Sequence, residues 1–167
     1  RPVTCDRASG TGFALGETTV TCTATDAAGI LGTASFTITV ADTTAPSLTL
    51  TGTTAEATGP DGAEVTFTAS ASDLVDGDLT VSCSPVSGSL FALGSTTVAC
   101  SAVDRALRTA IGSLVVTVLD RTPPALTLPD VVLEATDEDG VVATVDGTGA
   151  TARDVVDGVV SVVCEPL

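Results

Sequence analysis

The feature that most constrains this chain is that it repeats itself. The stretch "FALGETTVTCTATD" (Phe13–Asp26) returns as "FALGSTTVACSAVD" (Phe91–Asp104), with ten of fourteen letters identical at an offset of 78. At the same offset "ADTTAPSLTL" (Ala41–Leu50) falls on "LDRTPPALTL" (Leu119–Leu128), and "AEATGPDG" (Ala55–Gly62) on "LEATDEDG" (Leu133–Gly140). "SDLVDGDLTVSC" (Ser72–Cys83) then matches "RDVVDGVVSVVC" (Arg153–Cys164) at an offset of 81, which places the extra length of the last copy in its "VDGTGATA" loop. Self-similarity at one period marks tandem modules. A period this long exceeds a solenoid coil and suits a small domain.

The chain divides accordingly. Residues 1–41 match the second half of a copy, 42–119 make one complete copy, and 120–167 match the first half of another. Such a pattern is expected of a segment cut from a longer array. Completion of the two halves by neighbouring chains is a rival arrangement, but residues 1–8 align with 160–167, so one strand would be duplicated.

Within each copy the hydrophobic period is two. "PSLTL" opens the central copy. "AEVTFTA" (Ala63–Ala69) sets Val65, Phe67 and Ala69 on one face, "LTVSC" sets Leu79, Val81 and Cys83, and "TTVACSAV" sets Val98, Cys100 and Ala102. "IGSLVVTV" sets Leu114, Val116 and Val118 inward, and the first copy's "ASFTITV" aligns Phe36, Ile38 and Val40 with them. The outward positions are mostly Thr and Ser, which favour extended backbone without making apolar patches. Alternation with one buried face is the pattern of antiparallel sheets. About seven strands in so short a copy imply a small sandwich of immunoglobulin type. The expected fold is all-β: tandem immunoglobulin-like antiparallel β-sandwiches arranged end to end. The only aromatic residues are four Phe, and Val, Ala, Leu and Thr must fill the core, which suits thin sandwiches better than one deep core.

Composition narrows the partners. The chain has 21 acidic residues against six basic ones, all Arg, for a net charge of −15, and lacks Lys, His, Asn, Gln, Met, Trp and Tyr. A surface this acidic repels nucleic acid and anionic membranes. No stretch reaches the ~18 apolar residues of a membrane span. The charge would attract divalent cations, or serve solubility alone.

The five cysteines indicate a compartment. Cys5 is followed by Cys22, and Cys83 by Cys100, at one and the same spacing; Cys164 matches Cys83. Zinc would need four ligands, and there is no His and no C-x-x-C. A catalytic thiol would need a basic partner, and none is near in sequence. The reading is two disulfides, Cys5–Cys22 and Cys83–Cys100, with Cys164 unpaired. Closing loops of that size is worth ~3 kcal/mol in the chain-entropy account, and disulfides imply an oxidising, extracellular or cell-surface location.

Taken in order, the residues resemble a known module. An Asp-x-x-x-Pro start (Asp42–Pro46, Asp120–Pro124) precedes "SDLVDG", a Cys, "GSLFALGSTTVAC", "SAVD" and a β-rich strand ending in Val-x-Asp. This looks like the hyalin repeat (HYR) domain, and "FALG-TTV-C-A-D" is the most specific part. Where that family often has Ala-Gly-Asn after the Asp, the copies here read "TATDAAGI" and "SAVDRALR". The resemblance implies an extracellular immunoglobulin-like module of adhesion or surface-structure proteins, and it does not imply catalysis.

Only acidic clusters are candidate sites. Asp73, Asp76 and Asp78 crowd "SDLVDGD", and Asp154 and Asp157 repeat the first two. Asp26 and Asp104 follow the Cys strand, Asp42 and Asp120 lie at the junctions, and Asp137, Glu138 and Asp139 share one loop. Loop carboxylates can supply the six to eight oxygens of Ca²⁺, with Asp42, Asp73, Asp76 and Asp104 the metal candidates. No stretch has the D-x-[DN]-x-[DN]-G spacing, and Asp-Gly is an ordinary turn signal, so calcium and plain turn chemistry both stay open. Catalysis would need a carboxylate pair as in glycoside hydrolysis, in a chain without His, Lys or Tyr. Sugar binding would need exposed rings, yet Phe36 and Phe67 sit at inward positions, while Phe13 and Phe91 precede the "ALG" turn as core plugs. The function expected is a non-catalytic rod-like spacer, adhesin stalk or filament-building repeat. The alternative is a carbohydrate- or protein-binding adhesion module that depends on calcium. The partners expected are further copies in cis and homotypic lateral or filament contacts, with no nucleic acid and no direct membrane insertion.

Overall fold

The computed structural model describes residues 2–141 and 147–164. Alternation of β-branched and small residues, broken by turn residues, produces strands throughout, and the described residues contain no helix. In the first copy β1 (Thr4–Cys5), β2 (Gly16–Thr25) and β3 (Leu31–Val40) form one antiparallel sheet. The central copy holds β4 (Ser47–Thr51), β5 (Thr53–Glu56), β6 (Ala63–Val65), β7 (Thr68–Asp73), β8 (Gly77–Leu79), β9 (Val81–Ser84), β10 (Ser89–Phe91), β11 (Gly94–Val103) and β12 (Thr109–Leu119). The last copy supplies β13 (Ala125–Thr127), β14 (Thr151–Asp154) and β15 (Gly158–Val160). The "VDGTGATA" insertion falls partly outside the described residues.

The central copy is an immunoglobulin-like sandwich. One layer runs β5-β12-β11-β9, the other β4-β7-β8, and β10 and β6 form a separate small antiparallel pair. Between the layers lie Val98, Cys100, Leu114, Val116 and Val118, the inward residues of β11 and β12, with Val65 and Phe91. Phe91 is 2% exposed and meets Phe67 edge-on, with ring centroids 6.5 Å apart.

The register repeats with the sequence. Gly16↔Val40 in the first copy becomes Gly94↔Val118 in the central one. Ser47↔Ser72 and Asp73↔Gly77 become Ala125↔Arg153 and Asp154↔Gly158. The two partial copies thus carry one different layer each.

Three features depart from the sequence reading. The central copy has nine strands, where about seven were expected, and three of its extended stretches are each divided in two. The strand through 47–56 leaves the β7 layer at Gly52 and joins the β12 layer as β5. The strand through 77–84 changes layers at Thr80. Between β6 and β7 the backbone of Phe67 turns instead to the Ser87 hydroxyl, which accepts from the Phe67 N–H and donates to its carbonyl. Gly52 is required at its crossing, since a Cβ there would lie 2.5 Å from the Val115 carbonyl oxygen.

Secondly, the sheets are not wholly antiparallel. β5 pairs parallel with β12, from Thr53↔Val116 to Glu56↔Leu119, because crossing at Gly52 leaves its chain direction unchanged.

Thirdly, Phe36 is not buried. It is 53% exposed, whereas its repeat counterpart Leu114 is 5% exposed. The alternation is correct, but no second layer covers that face among the described residues. Leu126 and Leu128 show the converse, at 56% and 60% exposed, where their counterparts Leu48 and Leu50 are half-buried.

Candidate metal centre

The structure joins Cys5 to Cys22 and Cys83 to Cys100. In both pairs the cysteines are direct cross-strand partners on adjacent antiparallel strands, so each bond links neighbours within one layer. Cys164 is a free, half-buried thiol.

The acidic candidates converge. One carboxylate oxygen each from Asp42, Asp73 and Asp76 lie within 4.8 Å of one another. The pairing of β4 with β7 brings them together: Ser47 faces Ser72, so the connection carrying Asp42 runs beside the turn that begins at Asp73. Asp120, Asp154 and Asp157 form the same triad one repeat later, again within 4.8 Å. These are the metal-competent groupings among the described residues. Asp26, which matches Asp104, is exposed. Asp137, Glu138 and Asp139 form a turn in which Asp137 Oδ1 accepts the Asp139 N–H, and they do not assemble into such a triad.

Each triad is built by turn chemistry. Asp73 Oδ1 accepts the N–H groups of Val75 at 2.7 Å and Asp76 at 3.1 Å, and Asp154 Oδ1 does the same for Val156 and Asp157 at 2.7 and 3.0 Å. Asp42 Oδ1 accepts both the N–H and the hydroxyl of Thr44, and Asp120 Oδ1 accepts the Thr122 N–H. The Val75 N–H, chiefly, holds the Asp73 carboxyl below the ordinary aspartate value against the opposing effect of burial. An N–H donor favours the charged form.

Asp104, the fourth metal candidate, is not among the oxygens that lie within 4.8 Å of one another. It is 4% exposed, and its Oδ1 accepts the Arg108 N–H at 2.7 Å. The turn it opens is fastened to the triad twice. The Arg105 N–H donates to Asp76 Oδ2 at 2.8 Å, and Arg108 Nε donates to the Asp42 carbonyl at 3.0 Å. Arg105 also forms the ion pair seen among the described residues, Nη1 to Asp76 Oδ1 at 3.3 Å, with its own side chain 86% exposed. A groove of about 340 Å³ runs past the triad, lined by Leu15, Val40, Asp42, Val75, Asp76 and Arg105 among others. Chemically the centre offers oxygen donors and negative charge, without imidazole or thiolate.

Sequence reasoning missed three participants. Glu56 accepts the Arg121 N–H at 2.6 Å and the Thr122 hydroxyl at 3.1 Å, and the Arg121 N–H, chiefly, lowers its carboxyl. Arg105 and Arg108 fasten the Asp104 turn. None carries a spacing signal, because the contacts that join them to Asp42, Asp76 and the second connection span large sequence separations.

No family model matches the chain, and no curated protein matches it. Among solved structures it is similar to human protocadherin-24 EC1-2 in a crystal form II, at 17% identity over 65% of this chain and 68% of that chain, with a TM-score of 0.37.

Proposed function

We propose that this chain is a non-catalytic spacer of an extracellular surface protein, built from HYR-like sandwiches set end to end. The observation that carries this reading is how the copies are connected. β3 passes into β4 through residues 41–46 alone, and β12 into β13 through 120–124 alone. Both connections are pinned to the central copy: the first by Arg108 Nε on the Asp42 carbonyl, the second by Glu56 on Arg121 and Thr122. Pro46, Pro123 and Pro124 fix φ and favour extended backbone. Short, pinned, proline-stiffened connections leave copies little freedom to fold back.

The location follows from the disulfides, which persist in oxidising compartments. The partners of this reading are further copies in cis, with homotypic lateral contacts where such rods build a filament. A carbohydrate platform is less well supported, because Phe91 is enclosed in the core with Phe67 against it, and Phe36 alone of the four rings is exposed.

Small-angle scattering of the whole chain in chelator is the test. The spacer reading expects an elongated particle. A compact particle, with copies side by side around a shared cleft, refutes it and favours a ligand-binding module.

A further inference from the structure

We propose that Asp42, Asp73 and Asp76 bind one Ca²⁺ ion where the chain enters the central copy, and that Asp120, Asp154 and Asp157 form the same site one repeat later. Binding itself does not depend on the spacer reading. The consequence drawn below, a stiffened connection, does rest on it.

The spacing suits the ion. Two oxygens each about 2.4 Å from a common Ca²⁺ lie no more than about 4.8 Å apart, and the triad oxygens fall within 4.8 Å of one another. The donors are hard oxygens throughout, which select Ca²⁺ or Mg²⁺ over the transition metals. Ca²⁺ is the better match, because it accepts irregular geometry filled out by carbonyls and water, whereas Mg²⁺ demands a near-ideal octahedron.

An acidic turn alone would prove little, and the second observation is independent of it. Among the described residues, two buried side-chain oxygens have no hydrogen-bond partner: Asp42 Oδ2 and Asp104 Oδ2. Asp42 is a member of the triad, and Asp104 opens the turn fastened to Asp42 and Asp76. A buried anionic oxygen without a donor is costly, and the Asp42 orphan occurs at the centre where carboxylates crowd together. A cation satisfies it and screens the repulsion among the carboxylates. Arg105 does not substitute for it. It meets Asp76 alone, on a side chain that is 86% exposed, and a carboxylate oxygen that accepts one hydrogen bond keeps a further lone pair.

The second triad argues the same way. Its first member follows the repeat offset of 78 and its other two the offset of 81, yet the cluster re-forms within the same 4.8 Å. Asp42 lies in the connection, and Asp73 and Asp76 at the β7–β8 turn. One ion therefore ties the connection to that turn of the following sandwich and holds it in one orientation.

Calorimetric titration of the whole chain with CaCl₂, after chelator treatment and in salt high enough to screen the diffuse ion atmosphere, tests the proposal. The expected result is saturable binding with a dissociation constant of about 10⁻⁴–10⁻³ M, the range of extracellular modules, and Ca²⁺ favoured over Mg²⁺. Asp42→Asn and Asp76→Asn should each weaken binding about tenfold or more, since each removes a charged ligand, while Asp61→Asn, on an exposed loop, leaves it unchanged. Circular dichroism shows whether each variant folds. If one does not, saturation and Ca²⁺-over-Mg²⁺ preference in the unsubstituted chain decide. No saturable heat, equal response to Mg²⁺, or unchanged affinity in folded Asp42→Asn and Asp76→Asn overturns the site. Scattering in chelator reads the spacer shape separately, so loss of the site and loss of the spacer reading are distinguishable.

Discussion

Truncating Phe91 to alanine probes the centre of the sandwich. The ring is 2% exposed and packs among Val98, Val116 and Val118. It also meets Phe67 edge-on at 6.5 Å. Phe→Ala in a core costs about 3–5 kcal/mol through lost transfer energy and the cavity left behind, and an edge-on ring pair adds about 0.5–1.5 kcal/mol. A sandwich of this size holds about 4–12 kcal/mol in all, so the substitution should remove a large share of it. At a urea dependence of about 2 kcal/mol per molar, the midpoint should fall by about 2 M with unchanged slope. The chain has no Trp or Tyr, so circular dichroism is the assay. Phe36→Ala is the comparison, because Phe36 is 53% exposed and its loss should cost under about 1 kcal/mol. Equal effects of the two substitutions, or a Phe91→Ala shift under about 0.5 M, would refute the packing argument.

Three further outcomes are expected. Replacing Cys83 and Cys100 together by Ser should cost about 3 kcal/mol, read as a matching fall in the urea midpoint; no fall would mean that the bond constrains nothing. Gly62→Ala should lower the melting temperature sharply, because Gly62 has φ +109° and a Cβ there would lie 1.9 Å from the Phe91 carbonyl oxygen. The third concerns acid. Asp73 titrates below its ordinary value, so its stabilisation is complete above about pH 4 and is lost as pH falls through the lowered folded value; midpoints measured from pH 7 downward should fall less steeply in Asp73→Asn.

Much of this fold was legible because alternation is a local property. The inward positions of β11 and β12 could be read directly, and Val98, Cys100, Leu114, Val116 and Val118 all reach the core. Burial itself is not local. Phe36 has the right phase and stays exposed because the opposing layer decides the matter. Layer changes were also hidden, since the strand through Gly52 keeps its alternation while exchanging β7 for β12 as neighbour. The acidic centre was legible in part. The repeat aligned Asp42 with Asp120, and Asp73 and Asp76 with Asp154 and Asp157. Their convergence depends on the Ser47↔Ser72 register, and the arginines that fasten Asp104 depend on contacts no spacing encodes.

The parallel ladder bears on the proposed spacer role. Thr53 lies opposite Val116 and Glu56 opposite Leu119, so the chain enters the central copy at one end of this ladder and leaves at the other. A pull between the two connections therefore drives β5 and β12 past each other. Strands that slide in this way must break their cross-links together, whereas a ladder opened from one end breaks them singly. The strand through 47–56 extends the effect, because β4 is bonded to β7 in the other layer, and withdrawing it must shear both layers. The ladder continues at its exit, where the Ala57 N–H donates to the Leu119 carbonyl at 2.8 Å and Glu56 holds Arg121 and Thr122. At the other end Arg108 holds the Asp42 carbonyl. Load thus passes from one connection through both layers to the next without opening a hairpin. That arrangement follows from Gly52, where a missing side chain lets one strand belong to two sheets.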